Sequence, residues 1–233
     1  MKLNKQFLII CLALFSMAAM VSADFYYESE VTGTPGQTEP QIAKNYISEY
    51  GMRIDNGPTN GMIINFKDEV MYNVNFNEKV YIETKFAEMM QPKDPQEQAQ
   101  MDQMGKMMRQ MIDSMEVNPT EETMKIGDWN CKKYIVKIMG MESVYWVTKD
   151  VKNYDDVAKY LAKYKKVFDK SPILKNLSSA FEMQAKIDGF PVKTINKMMG
   201  MEMVSTVKKV EEKKIDKKMF LPPEGFTKKV VEK

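Results

Sequence analysis

Between Asp24 and Phe86 apolar and polar residues alternate with a period of two, run after run, and no other feature narrows the fold as much. In FYYESEV (25–31) Phe25, Tyr27 and Val31 fall on one side; in MIINF (62–66) Met62, Ile64 and Phe66 do. VMYNVNF (70–76) sets Val70, Tyr72, Val74 and Phe76 against Met71, Asn73 and Asn75, and VYIETKF (80–86) continues the pattern. Successive side chains of a strand point to opposite faces, so such runs bury one face and wet the other. Gly51, Asn56-Gly57-Pro58 and Asn60-Gly61 punctuate the runs as turns. A meander of antiparallel strands with one apolar face is predicted.

The period changes after the Pro-broken connection QPKDPQEQ (91–98). Met101, Met104, Met108, Met111 and Met115 recur at intervals of three and four, the spacing of one helical face. A helix inserted over about 99–116 follows, with Gly105 weakening it and Pro119 beyond its end. Strands resume over 123–151, where Tyr134, Val136 and Ile138, then Val144, Trp146 and Thr148, alternate with polar neighbours. A second helical stripe (Val157, Tyr160, Leu161, Tyr164, Val167 and Phe168) predicts a helix over about 154–169. Ser171-Pro172 breaks it and a third, shorter helix is expected over 172–185, followed by a closing hairpin. KIMGMESVYWVTK (137–149) and KMMGMEMVSTVKK (197–209) share eight of thirteen positions. Each reads as strand, Gly-containing turn and strand, two similar hairpins in one sheet rather than a repeat array.

The first 23 residues have the grammar of a cleaved signal peptide. Lys2 and Lys5 precede an apolar run from Phe7 to Phe15, and Val21-Ser22-Ala23 is a small-residue cleavage site. Cys11 sits inside the apolar run rather than after it, which argues against a lipoprotein signal. The expected arrangement is a signal peptide over 1–23 and one domain over 24–233, periplasmic or secreted, with no transmembrane segment after cleavage. Removing Lys2 and Lys5 leaves 32 basic against 32 acidic residues, a balance with no field to attract nucleic acid. Cys131 is the one cysteine outside the leader, so the mature chain forms no internal disulfide. With no His in the chain, the commonest general base and metal ligand is missing, and no nucleotide-binding loop or nucleophile elbow is present. An enzyme is the less favoured class and no cofactor is expected.

The order of elements, with GDWNCKKYIV (127–136), YWVTKDV (145–151), GFPVK (189–193) and FLPPEGF (220–226), resembles an exported bacterial family, domain of unknown function 4412. That family is similar in turn to the periplasmic lipoprotein carriers of the LolA and LolB type. The resemblance implies an incomplete antiparallel barrel with helices on its concave side, where carrier relatives take up acyl chains. The expected fold is therefore α+β: a curved antiparallel sheet forming an open half barrel, with an inserted helix and a helix pair on the concave side.

After the leader the chain holds 20 Met but only 4 Leu. Three readings of the methionines are open. Met is a flexible, polarizable filler of irregular core gaps. A Met-striped helix also suits an adaptable lid over a hydrophobic or lipid-like ligand, with Met104, Met108, Met111 and Met115 facing Tyr72, Val74, Phe76, Tyr134, Val136 and Trp146 of the sheet. Thioethers are, finally, selective ligands for Cu(I), and Met139, Met141, Met199 and Met201 form two Met-x-Met pairs. The expected function is non-enzymatic binding of a lipid or acyl ligand in the bacterial envelope. A Cu(I)-binding protein and a partner-binding envelope protein are the alternatives.

Overall fold

A computed structural model describes residues 24–33, 38–88, 94–151, 154, 186–198 and 201–230. The predicted meander forms from β1 (Phe25–Thr32), β2 (Gln41–Ser48), β3 (Gly51–Asn56), β4 (Asn60–Asn65), β5 (Val70–Asn75) and β6 (Val80–Lys85). Helix α1 (Pro95–Asp113) follows, then β7 (Glu116–Ile126), β8 (Trp129–Ile138), β9 (Met141–Thr148), β10 (Phe190–Met198) and β11 (Met201–Glu212). A 3-10 turn at Lys217–Phe220 and the two-residue strand β12 (Thr227–Lys228) close the chain.

All twelve strands join one open sheet, in the order β12-β6-β5-β4-β3-β2-β1-β11-β10-β9-β8-β7. β1 lies in the middle of that sheet. The chain meanders outward to β6, crosses to the far edge at β7, and meanders back until β11 pairs antiparallel with β1. The segment carrying α1 is thus the connection between opposite flanks of the sheet, which explains why a helix interrupts an otherwise local topology. α1 begins at Pro95 and ends at Asp113, a few residues before the predicted bounds; Pro at the first helical position has a preset φ and no N–H to waste.

The α+β expectation is overturned: the described residues are nearly all strand, with one helix in a 12-stranded open sheet rather than a sheet backed by a helix pair. The helices expected over 154–169 and 172–185 fall outside the described residues, Tyr154 excepted. Strands also claim QIAKNYIS (41–48), GMRIDN (51–56) and the stretch from Glu116, whose Asn, Gly and Pro content masks the alternation. Pairing with neighbours on both sides overrides that weak local preference. Gly51 is an example: read as a turn residue, it opens β3, where an added Cβ would lie 2.1 Å from the Ile64 carbonyl oxygen.

The two flanks of the sheet end differently. Beyond β6 the backbone is capped by β12, which pairs in parallel through Thr227 and Lys228. β7 is the free edge. It carries Pro119, an irregularity between Pro119 and Thr123, and exposed Glu121 and Glu122 paired with Lys132 and Lys133. Proline, a bulge and charge are the usual protections of an edge strand against adventitious pairing.

Three apolar clusters form the core. The largest gathers Phe25, Ile47, Ile64, Phe66, Phe86, Cys131, Phe190, Val192 and Val207. Phe190 sits at its centre, edge-on to Phe25, Tyr27 and Tyr154 at 5.4–5.5 Å. The second packs Ile63, Val70, Tyr72 and Val74 under Ile215 and Phe220 of the C-terminal segment. The third joins Tyr134, Val136, Tyr145 and Val147 with Met115 and Ile187.

Candidate functional site

The alternation of β3–β5 gives the N-terminal meander two faces of different character. On one, cross-strand register lines up Tyr46, Arg53, Ile63 and Tyr72. The C-terminal segment covers this face. Arg53 Nη1 donates to the Met219 carbonyl at 3.3 Å and Asn65 Nδ2 to the Phe220 carbonyl at 3.3 Å. Arg53 also pairs with Asp55 at 2.9 Å and lies over the Tyr46 and Phe76 rings. Farther along the same segment, Ile215 N donates to the buried Asp24 carboxylate at 2.7 Å. These polar clips fasten a lid made of the protein itself, and Phe220 beneath it is fully buried.

On the opposite face the rows are Ile47-Met52-Ile64-Met71 and Ile54-Met62, followed by Asn56, Asn60 and Asn75. Ile47 and Ile64 are buried, whereas Met52, Met62 and Met71 are half-buried at the border of the largest core cluster. The face therefore grades from a packed interior, through a band of thioether side chains, to an amide rim. Tyr27 shares this face of β1. Its half-buried ring packs against Phe25 and Phe190, and burial, with the nearby Tyr154, pushes its pKa up to about 12.

Among the described side chains, the sequence-predicted ligand residues fall in separate apolar clusters. Tyr72 and Val74 are buried beneath the C-terminal segment, with Phe76 beside Phe226 at a ring distance of 6.1 Å. Tyr134, Val136 and Met115 pack together in the third cluster, while Trp146 borders the first. Met104, Met108 and Met111 lie on α1, with side chains outside the described ones. Tyr72, Val74, Tyr134 and Val136 are thus packed against other parts of the protein. Alternation identified which residues of β5 share a face, but it picked the face that the chain covers with its own C-terminus. On the other face Met62 belongs to the apolar pattern of 62–66, whereas Met71 lies opposite the stronger pattern of 70–76.

The methionines named as thioether ligands sit at hairpin tips. Met139 and Gly140 form the two-residue turn between β8 and β9, and Met141 opens β9 opposite Ile138. Met139 (φ 49°) and Gly140 (φ 80°) both lie in the left-handed region, as a type I′ turn requires. Met201 opens β11 opposite Met198. Met199 lies outside the described residues, as does the side chain of Met201.

Cys131 is buried in the largest cluster, and its thiol pKa is raised by desolvation and by Asp150. Burial and the raised pKa both disfavour its thiolate. Two open surface grooves are lined by mixed charged and polar groups. One, of about 840 Å³, runs past Gln41, Ile42, Lys44, Asp55 and Phe76; the other, of about 550 Å³, runs past Met124, Lys132, Lys149, Asp150 and Asp188. No group of three or more His, Cys, Asp or Glu able to hold a metal occurs among the described residues. No helix among them is long and apolar enough to cross a membrane.

No curated protein sequence matches the chain. Among solved structures, PNGF-II in its C2 crystal form is 14% identical with a TM-score of 0.39, covering 89% of this chain. The P21 form of PNGF-II is 15% identical with a TM-score of 0.38 over the same share. The chain spans 31% of the length of PNGF-II. A LolA superfamily protein from Nitrosomonas europaea is weakly similar, 8% identical with a TM-score of 0.28, covering 85% of this chain and 89% of that one. The model of the family described as Domain of unknown function (DUF4412) matches residues 40–226, from just before β2 to just before β12, and the protein belongs to that family.

Proposed function

We propose that this chain is an exported, non-enzymatic binding protein whose ligand is an amphiphile with an acyl chain. The observation that carries the reading is the graded face of the N-terminal meander. Met52, Met62 and Met71 are half-buried there between a packed core and an asparagine rim. A thioether side chain has three rotatable bonds and a polarizable sulfur, so a band of them repacks around chains of varied length. The amides beyond it supply both donors and acceptors for a polar head group. Apolar lining with a few polar groups at one end is the usual composition of a small-molecule site. Absence of His and of any recognisable catalytic arrangement supports binding over catalysis.

Export rests on the leader grammar of residues 1–23. The chain recovered from a bacterial periplasm should begin at Asp24 by mass. Native mass spectrometry without detergent should show a passenger of several hundred daltons, removed by organic extraction. A fluorescent fatty acid should bind the stripped protein, with Met62→Gln/Met71→Gln weakening it roughly tenfold. A protein that carries no passenger and binds no acyl probe would sink the proposal.

A further inference from the structure

The Met-Gly-Met-Glu stretch at 139–142 has no part in the acyl-binding reading, and it stands bare at the end of a well-packed hairpin. Below the tip, Tyr134, Val136, Tyr145 and Val147 of β8 and β9 are all buried. At the tip Met139 is 55% exposed and Met141 40%, and a Cβ added to Gly140 would meet nothing within 4 Å.

Two features separate this tip from a scatter of single apolar residues on a surface. The first is its backbone. Met139 sits at φ 49°, a region where Asn, Asp and Gly are the favoured residues. The other two non-Gly residues with positive φ among the described residues are Glu69 and Lys79, both charged. The second is its company. Each other hairpin turn lying wholly within the described residues carries a charge or a hydroxyl: Glu49, Thr59, Asp68, Glu78 and Asp128. From Ile138 to Met141 there is neither. The first charges are Lys137 and Glu142, directly opposite each other at the base of the tip.

The tip also lies at a particular end of the sheet. Antiparallel pairing sets the end of β8 beside the start of β9, the end of β10, the start of β11, the end of β1, the start of β2 and the end of β3. Asn56 closes β3 there, opposite Asn60, which itself pairs with Asn75. The bare tip and the amide rim of the acyl-binding face therefore share one end of the sheet.

We propose that the β8–β9 tip is a docking point for a lipid surface, where Met139 and Met141 enter the apolar boundary while Lys137 and Glu142 stay at the level of the head groups. Thioether side chains adapt to the irregular packing of acyl chains. Shallow insertion of an apolar element gives reversible binding that grows with the area buried. The opposite charges at the base cancel, so binding owes little to anionic lipid or to ionic strength. A protein partner would call for polar groups that fix a register, and no side chain from 138 to 141 donates a hydrogen bond. The choice of a lipid over a protein surface also rests on the acyl-binding reading, since docking at this end brings the rim of that face to the membrane.

The test is flotation of the full mature chain with vesicles of phosphatidylcholine, alone or mixed with phosphatidylglycerol. The wild type floats with both, to the same extent at low and high salt. Met139→Asn/Met141→Thr places a turn-tolerant residue at 139 and a strand former at 141, so the fold is kept, yet the partition coefficient falls at least about tenfold. Met139→Leu/Met141→Leu stays within about twofold of the wild type. Failure of the wild type to float, binding that requires phosphatidylglycerol, or an undiminished partition in the polar variant overturns the proposal. Spin-labelled lipid gives a check that needs no variant. It broadens the methyl resonances of Met139 and Met141 and leaves that of the buried Met115 sharp, and unbroadened tip resonances likewise overturn the proposal. The polar variant binds fluorescent fatty acid as the wild type does, so the two sites are read separately. A wild type that floats yet binds no fatty acid upholds the docking point and sinks only the acyl-binding reading.

Discussion

The N-terminal meander and the β8–β9 hairpin are built from the same alternation, yet one is finished by packing and the other by exposure. In β3–β5 a whole face is sealed by a segment that arrives more than 140 residues later, held by Arg53, Asn65 and Phe220. In β8–β9 the strands pack well below but end in a bare tip, with Met139 and Met141 exposed there. The difference teaches that an apolar residue in a strand has no fixed meaning. What matters is whether a distant part of the chain reaches that row.

The strongest way to break this contrast is Phe220→Ala. Phe220 is fully buried between Ile63 and the strands beneath it, and its truncation should cost about 3–5 kcal/mol, read as a lower urea midpoint. If the C-terminal segment were only draped over the sheet, the loss would be far smaller. Gly51→Ala probes the same seal from inside. Its Cβ would meet the Ile64 carbonyl and the Phe220 ring, so a loss of about 1–3 kcal/mol is expected, whereas a neutral outcome would mean β3 shifts freely.

A pH titration sharpens the comparison through the tyrosines. Tyr27 is pushed up to about 12 and Tyr145 is also raised, in both cases mainly by burial. The unfolded chain ionises these groups near their ordinary value of 10, releasing protons that the folded state keeps. Stability is thus fully present below pH 10 and falls as pH rises from 10 towards 12, measurable by urea midpoints across that window. With no His, no comparable step is expected between pH 6 and 9. A plateau through pH 11 would show that these hydroxyls reach water.

The smallest effect has the opposite sign. Met139→Asn places a residue tolerant of the left-handed region at an exposed turn, and should stabilise the fold by up to about 1 kcal/mol. A loss instead would mean that Met139 makes a packing contact worth more than its strain.

Much of the secondary structure was legible. The runs around Tyr72, Tyr134 and Trp146 are strands because β-branched and aromatic residues alternate there, and the Met stripe of 101–111 is helical because its spacing is three and four. The first Met-Gly-Met-Glu stretch was legible as a hairpin because Gly140 allows the positive φ that its turn needs. The strands at 41–56 were not, since Asn, Lys and Gly there look like turn residues until neighbours on both sides supply hydrogen bonds. That Tyr72 and Val74 pack beneath the C-terminal segment was not legible either, because the covering residues are distant in the chain.

The sequence by itself determined the period of each segment, the turns, the absence of disulfide and histidine chemistry, and the abundance of thioethers. Those follow from local sterics and from side-chain chemistry, which need no knowledge of neighbours. The tertiary structure alone decided that β1 lies in the middle of the sheet, that it pairs with β11, and that Phe220 covers Ile63 and Tyr72. It also decided that, among the described side chains, Met52, Met62 and Met71 border the core while Met115 is buried within it. These are long-range choices, made by the free energy of burying whole faces against partners that no local window contains.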